Sequence, residues 1–441
     1  MFRFMQWRSP QERREHGQRL RKQVSRRAHA RLEAKQRAEP ALALLEHSMR
    51  GRVPALIRLK YELMAESPLG YLRGAAAVMA ADLALLPTTG IHCQICGDAH
   101  VRNLGAYAAP DGRLLFDIND FDETLPGPFE WDLKRMATSL LLAGRAAGHK
   151  ESSARRAAEI CVESYAALMG RFAEMPHIEV TRFQVHRMDV AKPVRVALMK
   201  AERATPPHTQ EKLTVPAARG KDAARRFRDE PPMLTRVLGA KQASVLGSLR
   251  PYRAMLEPQR LHLLALYRPV DVAFKVVGTG SVGLRDYCVY FEGNGSGDPL
   301  FLQIKEETAS VYAPYLRSAR TASHHGQRVA EGQRAMQMQS DPFLGWTHIG
   351  RRKFLVRQLN DHKGSIEIED LAGDNLSAYA EVCGELLARG HGRSGDPVTI
   401  AGYLGAGSGF AEAIGKFASL YADQTEKDWE ELCRSGKVKA R

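Results

Sequence analysis

Between residues 269 and 305 the apolar residues alternate with a period of two, whereas most of the chain before them has helical spacing. The segments VDVAFKVV, LRDYCVYFEG and PLFLQIKE have the length and the β-branched and aromatic content of strands. A glycine loop joins the first two segments, and the turn GNGSGD joins the last two. The pattern therefore predicts three successive strands in the second half of a chain that is otherwise mainly helical.

The glycine loop has the spacing G-x-G-x-x-G, formed by Gly278, Gly280 and Gly283. Two phosphate-binding designs share this spacing. A dinucleotide-binding unit continues from the glycine turn into a helix, whereas the nucleotide loop of a protein kinase continues into a strand. The residues after Gly283 are strand formers, so the sequence favours the kinase-type loop. A dinucleotide site and an ordinary hairpin with flexible glycines stay open as alternatives.

The third predicted strand ends in Lys305, where a kinase-type site needs one ammonium to hold the α- and β-phosphates. A surface lysine is the plainer alternative. In a kinase-type site the lysine is positioned by a carboxylate from a following helix, and Glu331 lies at a suitable distance along the chain. Glu306 and Glu307 are nearer and stay open as alternative partners.

Two further segments complete the predicted nucleotide site. Ser281 lies inside the glycine loop, among its three glycines. Residues Gln358 to Asn360, with Gln358 and Leu359 as the main candidates, are expected where two lobes meet and the nucleotide base is held.

The other half of such a site is encoded near the N-terminus. GDAHVRN places Asp98 and Asn103 at the D-x-x-x-x-N spacing of a kinase catalytic loop, with His100 between them as a further catalytic candidate. Asp98 would accept the proton of an attacking hydroxyl or orient it. Asn103, Asp120 and Asp122 offer the oxygen ligands that Mg²⁺ prefers, whereas His100 would be an unusual ligand for this metal.

Acidic residues are unusually dense after the segment LLF. Asp117, Asp120, Asp122 and Glu123 lie within seven positions, and close carboxylates repel unless cations, donors or solvent offset them. A set of turn-forming and capping residues is the structural alternative. A metal-dependent hydrolase, with the glycine loop irrelevant, is a functional alternative that would use Asp98, His100, Asp117, Asp120 and Asp122.

Long motifs make the chain similar to the bacterial family called domain of unknown function 2252. They are SPLGYLRG, GDAHVRNLG, FDINDFDETLPGPFEWDLKR, QRVAEGQRAMQ, DPFLGW, VRQLNDHKGS and HGRSGDPVTIAGYLG, and they span most of residues 60 to 430. More distantly, GDAHVRN followed by INDFDE resembles the aminoglycoside and choline kinase-like group, whose loop reads G-D-x-H-x-x-N before a metal-binding Asp. That resemblance implies that Asp132, in GPFEWDLKR, braces the catalytic loop.

The order of the motifs is reversed relative to that group, because the catalytic and metal motifs precede the glycine loop and the lysine. The two resemblances together imply a helix-rich α+β, two-lobed, protein-kinase-like fold that is circularly permuted, which is tolerable because folding depends on contacts rather than on chain order. The predicted units are a basic arm (1–40), a mainly helical lobe with the catalytic and metal motifs (41–265), a β-rich nucleotide-binding lobe (266–371) and C-terminal helices packed on the helical lobe (372–441).

The implied function is transfer of the ATP γ-phosphoryl group, with Mg²⁺, to an unknown hydroxyl or amine. A non-catalytic nucleotide-binding or regulatory module is an alternative from another class, in which the basic arm docks an acidic partner. Turnover of bound nucleotide would distinguish the two.

The net charge of +14 is concentrated near the N-terminus, where residues 1–40 hold twelve Arg or Lys and four Glu, a balance of +8. This pattern predicts an exposed helix or a flexible arm, either without a partner or in contact with an acidic partner or nucleic acid. No run of about 18 apolar residues and no secretory signal is evident, which favours a cytoplasmic protein without a transmembrane segment.

Two smaller motifs have competing interpretations. Cys93 and Cys96, near His92 and His100, form a C-x-x-C that suits either a metal or redox site or buried, inert thiols. In HGRSGD, the polar side chains between His391 and Asp396 would bind an acidic substrate or complete a phosphate site, or else simply end a helix.

Overall fold

The computed structural model describes residues 7–33, 36–185, 191–217, 224–316, 323–359 and 362–438. The helices are α1 (Pro10–Gln23), α2 (Ala41–Ser48), α3 (Pro54–Ala65), α4 (Pro68–Gly74), α5 (Ala76–Ala84), α6 (Phe129–Ala146), α7 (Glu151–Phe172), α8 (His177–Arg182), α9 (Lys192–Arg203), α10 (Pro206–Leu213), α11 (Gly239–Gly247), α12 (Leu249–Arg253), α13 (Pro258–Ala265), α14 (His325–Met336), α15 (Asn375–Ser394), α16 (Pro397–Leu404) and α17 (Ser408–Arg434). The strands are β1 (His92–Ile95), β2 (Leu104–Ala108), β3 (Leu114–Ile118), β4 (Leu125–Pro128), β5 (Thr214–Pro216), β6 (Arg225–Phe227), β7 (Leu234–Arg236), β8 (Arg268–Lys275), β9 (Asp286–Glu292), β10 (Pro299–Glu307), β11 (Gly345–Ile349), β12 (Arg352–Gln358) and β13 (Gly364–Ser365). The protein is therefore a helix-rich mixed α/β structure.

The largest sheet has six antiparallel strands in the order β11-β12-β10-β9-β8-β7. Its central strands β9 and β10 are buried along their whole length, because both faces are covered. Tyr287 and Val289 face the helices α11–α13, while the alternate residues Cys288 and Tyr290 face Leu213 of α10 and its neighbours. This period of two follows from strand geometry and explains the dense apolar pattern of the segment.

The strand prediction for residues 269–305 is confirmed. The chain passes from β8 through the glycine loop directly into β9, and β10 follows after a short turn. No helix lies between β8 and β9, a stretch that the structure describes in full, so the dinucleotide-binding alternative is wrong.

The sheet is joined by residues that were predicted to belong to the helical lobe. β7 pairs with β8, and Val245, Leu249 and Tyr252 of α11 and α12 lie in the same apolar core as the sheet. Residues before 266 therefore also belong to the sheet half of the molecule, because the apolar faces of these short helices are buried against it.

The remaining helices form the largest apolar core, which contains α6, α7, α15 and α17. Helix α6 is buried from Phe129 to Gly144, and α15 lies so close to α7 that a Cβ at Gly384 would overlap the carbonyl oxygen of Cys161. Two small antiparallel sheets lie beside this core: the pair β1-β4 and the three strands β13-β2-β3. They carry the N-terminal motifs, so this half of the molecule positions one half of the predicted site.

The basic N-terminal segment is docked over its described residues. Helix α1 packs on α16, where Arg21 donates to the carbonyl oxygen of Tyr403 at 2.7 Å, and Arg26 donates to that of Leu404 at 2.7 Å. His29 is buried and bonded to the Tyr403 hydroxyl. The prediction of a flexible arm is wrong for residues 7–33, because Arg21 and Arg26 donate to carbonyl oxygens of α16. The outer face of α1 is exposed.

In the described ranges, no helix combines the length and the apolar content that crossing a membrane requires.

Candidate functional site

A cavity of about 250 Å³ lies between the helical half and the sheet half of the molecule. Members of both sets of predicted residues line it, although they are far apart in the sequence, but Gly283 and Lys305 are not part of the lining. The first half of the chain contributes Asp98, His100, Asn103, Asp120 and Asp122, and the second half contributes Gly278, Gly280, Ser281 and Glu307. Folding therefore joins the two predicted half-sites into one site.

The closest link between the halves is an ion pair between Lys305 and Asp122, which are 183 residues apart. The Lys305 ammonium donates to Asp122 Oδ1 at 2.6 Å and also to Oδ2, and its nitrogen lies 3.9 Å from Asp120 Oδ1. Ser281 of the glycine loop donates to Asp122 Oδ2 at 3.1 Å. Burial lowers the pKa of Lys305, but Asp120 and Asp122 outweigh it and raise the pKa above its ordinary value, so the ammonium is charged.

The predicted carboxylate partner Glu331 does not reach Lys305. It is exposed and accepts a hydrogen bond from Gln327 at 2.7 Å, on the outer side of α14. The inward position is occupied by Arg328, which donates to the carbonyl oxygens of Asp122 at 2.6 Å, Thr124 at 2.5 Å and Thr308 at 2.9 Å. Helix α14 therefore holds the acidic loop through its backbone instead of pairing with the lysine.

The two nearer alternatives have different environments. Glu306 accepts from Arg285 at 3.0 Å and from Arg352 at 2.6 Å, so its charge is paired with these two cations near the end of the central strand β10. Glu307 lines the cavity, and its Oε1 is buried without a hydrogen-bond partner among the described residues. Burial, with the charge of Asp122, raises the pKa of Glu307 above its usual range.

Asp98 is held by a buried cation. Arg135 Nε donates to Asp98 Oδ1 at 2.6 Å, and His100 Nε2 lies 3.6 Å from Oδ2. Burial raises the pKa of Asp98, but the charge of Arg135 and smaller effects of His100 and Arg73 bring it below its ordinary value. Burial lowers the pKa of His100 to about 3, with Arg73 and Arg135 acting in the same direction and Asp98 opposing. At neutral pH, Asp98 is therefore a carboxylate beside an uncharged imidazole.

Asp132 braces the turn before Asp98, as the kinase-like resemblance implies. Its carboxylate accepts from the backbone N–H groups of Cys96 at 2.8 Å and Gly97 at 2.9 Å. Gly97 has a φ of +78°, which favours glycine. His391 Nε2 lies 3.2 Å from the same carboxylate, so this residue of HGRSGD supports the turn from behind and does not line the cavity.

The other polar residues of HGRSGD also have structural contacts. Asp396 caps α16 by accepting from the Val398 N–H at 3.1 Å, and it pairs with Arg13 at 3.0 Å. Neither predicted role, which was to bind an acidic substrate or to complete a phosphate site, is therefore met in the structure. The side chains form contacts between helices instead. Cys93 and Cys96 are buried thiols.

The residues present fit Mg²⁺ better than a softer metal. Asn103 Nδ2 donates to the backbone carbonyl of Asp98 at 2.8 Å, and the amide oxygen is left as a possible ligand beside Asp120 and Asp122 in the cavity lining. Burial, with the charge of Asp122, raises the pKa of Asp120 to about 6, and a divalent cation would relieve that repulsion. All donors are oxygens, which is the set that Mg²⁺ prefers.

The five-residue cluster of the hydrolase alternative is not formed. Asp117 is buried in an ion pair with Arg389 and is absent from the cavity lining, because β3 points it toward α15. Within the described part of the chain, no group of three or more His, Cys, Asp or Glu side chains is arranged to hold a metal. Mg²⁺ at one or two protein carboxylates usually depends on substrate phosphates for further ligands.

The glycine loop is anchored from the N-terminal helices. Lys60 Nζ donates to the carbonyl oxygens of Thr279 at 3.1 Å and Gly280 at 2.6 Å, and Arg52 donates to that of Val282 at 2.6 Å. Neither residue was predicted from the sequence, since Lys60 and Arg52 belong to an ordinary amphipathic segment. The only signal was their position just before the SPLGYLRG motif.

A smaller cavity of about 40 Å³ adjoins the first, with which it shares Asn119, Arg357 and Lys363. Gln358 lines it together with Tyr107 of β2, so this residue does lie where the two halves meet. The Leu359 side chain is instead buried in the apolar core of the sheet. Asn360 lies outside the described residues.

These features define a helix-rich α/β protein with a charged cavity between a helical half and an antiparallel sheet. Residues 52–435 match the model of a family described as uncharacterized proteins conserved in bacteria (DUF2252), and the chain belongs to this family. No curated protein and no solved structure matches the chain.

A buried carboxyl next to the lysine strand gives a pH-dependent prediction. Asp286 Oδ2 accepts from Gln303 at 2.6 Å, Oδ1 has no partner among the described residues, and burial raises the pKa to about 6. The folded state therefore binds a proton more tightly than the unfolded state, and stability is lost as the pH rises from about 4 through 6. We expect Asp286→Asn to raise the free energy of unfolding at pH 8 by about 2 kcal/mol more than at pH 4.

Urea unfolding of both proteins at the two pH values measures this difference. The exposed Asp374→Asn is a matched control, since its charge lies at the surface. An Asp286→Asn effect that is the same at both pH values would contradict the assigned pKa.

Proposed function

We propose that this protein is a phosphotransferase that transfers the γ-phosphoryl group of ATP, with Mg²⁺, to a hydroxyl or amine of an acceptor. The observation that carries the proposal is the contact of Lys305 and Ser281 with Asp122. A lysine from the strand after a glycine hairpin thus meets an Asp-Phe-Asp segment that follows a D-x-x-x-x-N loop. A protein-kinase site requires these same parts in one place.

The succession of elements in the sheet half supports a kinase-like fold. A hairpin with the glycine loop (β8 and β9) is followed by the lysine strand β10, the helix α14 and two further strands. In the protein-kinase template the lysine is likewise on the third strand, and a helix packs behind it. The helical half is built from residues before and after this sheet, and so we propose a circular permutation.

In the proposed reaction, the acceptor oxygen or nitrogen forms a bond to the γ-phosphorus while the bond from that phosphorus to the β,γ-bridging oxygen breaks. ADP leaves with the electron pair of the broken bond. The acceptor's proton passes to Asp98 Oδ2, because Oδ1 is bonded to Arg135. A carboxylate with a lowered pKa is a weak base, so Asp98 mainly orients the acceptor and receives the proton late.

The other residues act by position and charge. Lys305, which is charged, would hold the α- and β-phosphates, and the glycine loop would cover them. Asn103, Asp120 and Asp122 would hold Mg²⁺, which neutralises phosphate charge when it is bound. Gln358 and the smaller cavity would take the nucleotide base.

Thermal unfolding with and without ATP and Mg²⁺ tests the proposal, because a ligand that binds only the folded state stabilises it, by about 2.7 kcal/mol at 100 times its Kd. We expect ATP with Mg²⁺ to raise the Tm of the wild-type protein. Asp120→Asn should lose the shift, and Asp111→Asn, an exposed carboxylate in a nearby turn, should keep it.

Two outcomes would contradict the proposal. An unchanged Tm with ATP and Mg²⁺ would remove the nucleotide site. A shift with ATP but no release of ADP over a panel of hydroxyl and amine acceptors would favour the non-catalytic nucleotide-binding module instead.

A further inference from the structure

The wall of the main cavity formed by the N-terminal helices is basic and has no acidic partners of its own. Arg52, Lys60 and Arg73 line this wall, and none of them forms an ion pair with a described carboxylate. Arg52 and Lys60 donate to carbonyl oxygens instead. Of the other cations that line the cavity, Arg102 is paired with Glu367, whereas Arg357 also donates to neutral groups, the Gln303 side chain and the Asn119 carbonyl oxygen.

Arg73, near the end of α4, is the most exceptional of the three. Its guanidinium has no hydrogen bond or ion pair to any residue that the structure describes, and its Nε is fully buried. A buried charged donor that is left unpaired is costly, because the group loses its hydration without gaining a partner. Burial, with the charge of Arg102, lowers the pKa of Arg73 from its ordinary value. An anion that entered the cavity would satisfy this donor.

Lys60 lies on the same wall and has unused capacity. Its ammonium has three donors, and two of them are used on the carbonyl oxygens of Thr279 and Gly280. Only about 1% of this residue is exposed, and burial and the charge of Arg52 lower its pKa well below the ordinary value. Arg73 and Lys60 therefore lie on this wall without a carboxylate partner among the described residues.

We propose that Arg73, supported by Lys60, binds an anionic oxygen group of the acceptor, so that the acceptor is a small molecule with a hydroxyl or amine and a phosphate or carboxylate group. The acceptor role rests on the proposed phosphotransferase function, whereas the anion site itself does not.

The surroundings of Arg73 place this site on the acceptor side. The carboxylate whose charge acts most strongly on Arg73 is Asp98, which would orient the acceptor. Of the groups that would hold the nucleotide, Lys305 and Gln358 are on β10 and β12, whereas the glycine loop is bonded to Lys60, so the proposed site adjoins the phosphate end of the nucleotide site. A cationic acceptor, such as an aminoglycoside or choline, would be repelled by Arg73 and Lys60, so the distant resemblance to that kinase group does not extend to its substrates.

Calorimetric titration of inorganic phosphate, and separately of acetate, into the full-length protein tests the proposal. The protein is used both free and saturated with Mg²⁺ and a non-hydrolysable ATP analogue, which fills the γ-phosphate position. We expect at least one of the two anions to bind the saturated protein. Arg73→Met should weaken that binding at least tenfold, Arg73→Lys should weaken it less, and the affinity for the ATP analogue should be unchanged in both variants.

Arg58→Met is the matched control, because it removes one positive charge from the exposed side of α3. It should bind the anion like the wild type. Equal Tm values for the Arg73 variants and the wild type would show that the variants are folded. If Arg73→Met does not fold, Arg73→Lys takes its place as the test variant.

Each remaining outcome is decisive. If neither anion binds the saturated protein, Arg73 binds no acceptor anion, and the inference is overturned. If Arg73→Met weakens the binding of the ATP analogue but not that of ADP, Arg73 contacts the γ-phosphate, and the inference is also overturned. If the protein binds no nucleotide but binds an anion in an Arg73-dependent way, the anion site stands and the phosphotransferase proposal fails.

Discussion

Replacing Asp98 by Asn is expected to lower the rate of phosphoryl transfer by about 10²–10⁴-fold, the usual contribution of a positioned acid or base. The amide keeps the size of the side chain, and its oxygen can still accept from Arg135, which donates to Asp98 Oδ1 at 2.6 Å. It cannot take the acceptor's proton at the other oxygen. Nucleotide binding should persist, because Lys305 and the glycine loop are unchanged.

The measurement is kcat for ADP release with an acceptor, beside the Tm shift given by ATP and Mg²⁺. Asp374→Asn, on an exposed turn before α15, controls for the loss of one carboxylate. Full activity of Asp98→Asn would show that the wrong residue has been assigned to the acceptor. Loss of the ATP-induced Tm shift together with activity would indicate instead that Asp98 supports the nucleotide site.

Lys305→Met is expected to have the largest effect on stability. The ammonium is 3% exposed and bonded to Asp122, whose own pKa is lowered by that charge although burial opposes it. Removing one partner of such a pair leaves an uncompensated buried charge, which costs about 3–5 kcal/mol. We therefore expect the free energy of unfolding to fall by that amount, and the Tm shift by ATP and Mg²⁺ to disappear.

The double variant Lys305→Met/Asp122→Asn separates these effects in a double-mutant cycle. It should recover part of the lost stability, since Asp122 no longer carries an unpaired charge although Asp120 still lacks the lysine 3.9 Å away, but it should not recover nucleotide binding. If urea unfolding of Lys305→Met, Asp122→Asn and the double variant gave additive losses, the two side chains would not be coupled. A Tm shift by ATP that survived in the single variant would remove Lys305 from the nucleotide site.

Local pattern was sufficient to predict several parts of this protein. The period of two between residues 269 and 305 became β8, β9 and β10, because alternating burial in a sheet imposes that period. The bracing of the Gly97 turn by Asp132 was instead expected from the kinase-like resemblance, because the two residues are 35 positions apart. Periodicity depends on neighbours in the chain and is therefore visible in the sequence.

The direction in which a side chain of a helix or strand points, and the distant residues that it meets, were not predictable. Glu331 was chosen by its distance along the chain, but α14 turns Arg328 inward and Glu331 outward. Asp117 looked like part of an acidic cluster, yet β3 points it to Arg389 and away from Asp120. The basic N-terminal segment gave no sign of docking, because the carbonyl groups that receive Arg21 and Arg26 lie about 380 residues away.

The sequence by itself determined which chemistry is present: a glycine loop, a strand lysine, and an acidic motif with amide and carboxylate oxygens. The tertiary structure alone decided that Lys305 meets Asp122, that Lys60 and Arg52 anchor the glycine loop, and that Arg73 has no partner among the residues that the structure describes. The physical reason is that residue types and their local spacing set strands and turns. The pairing of distant charges depends instead on how the helical half and the sheet pack together.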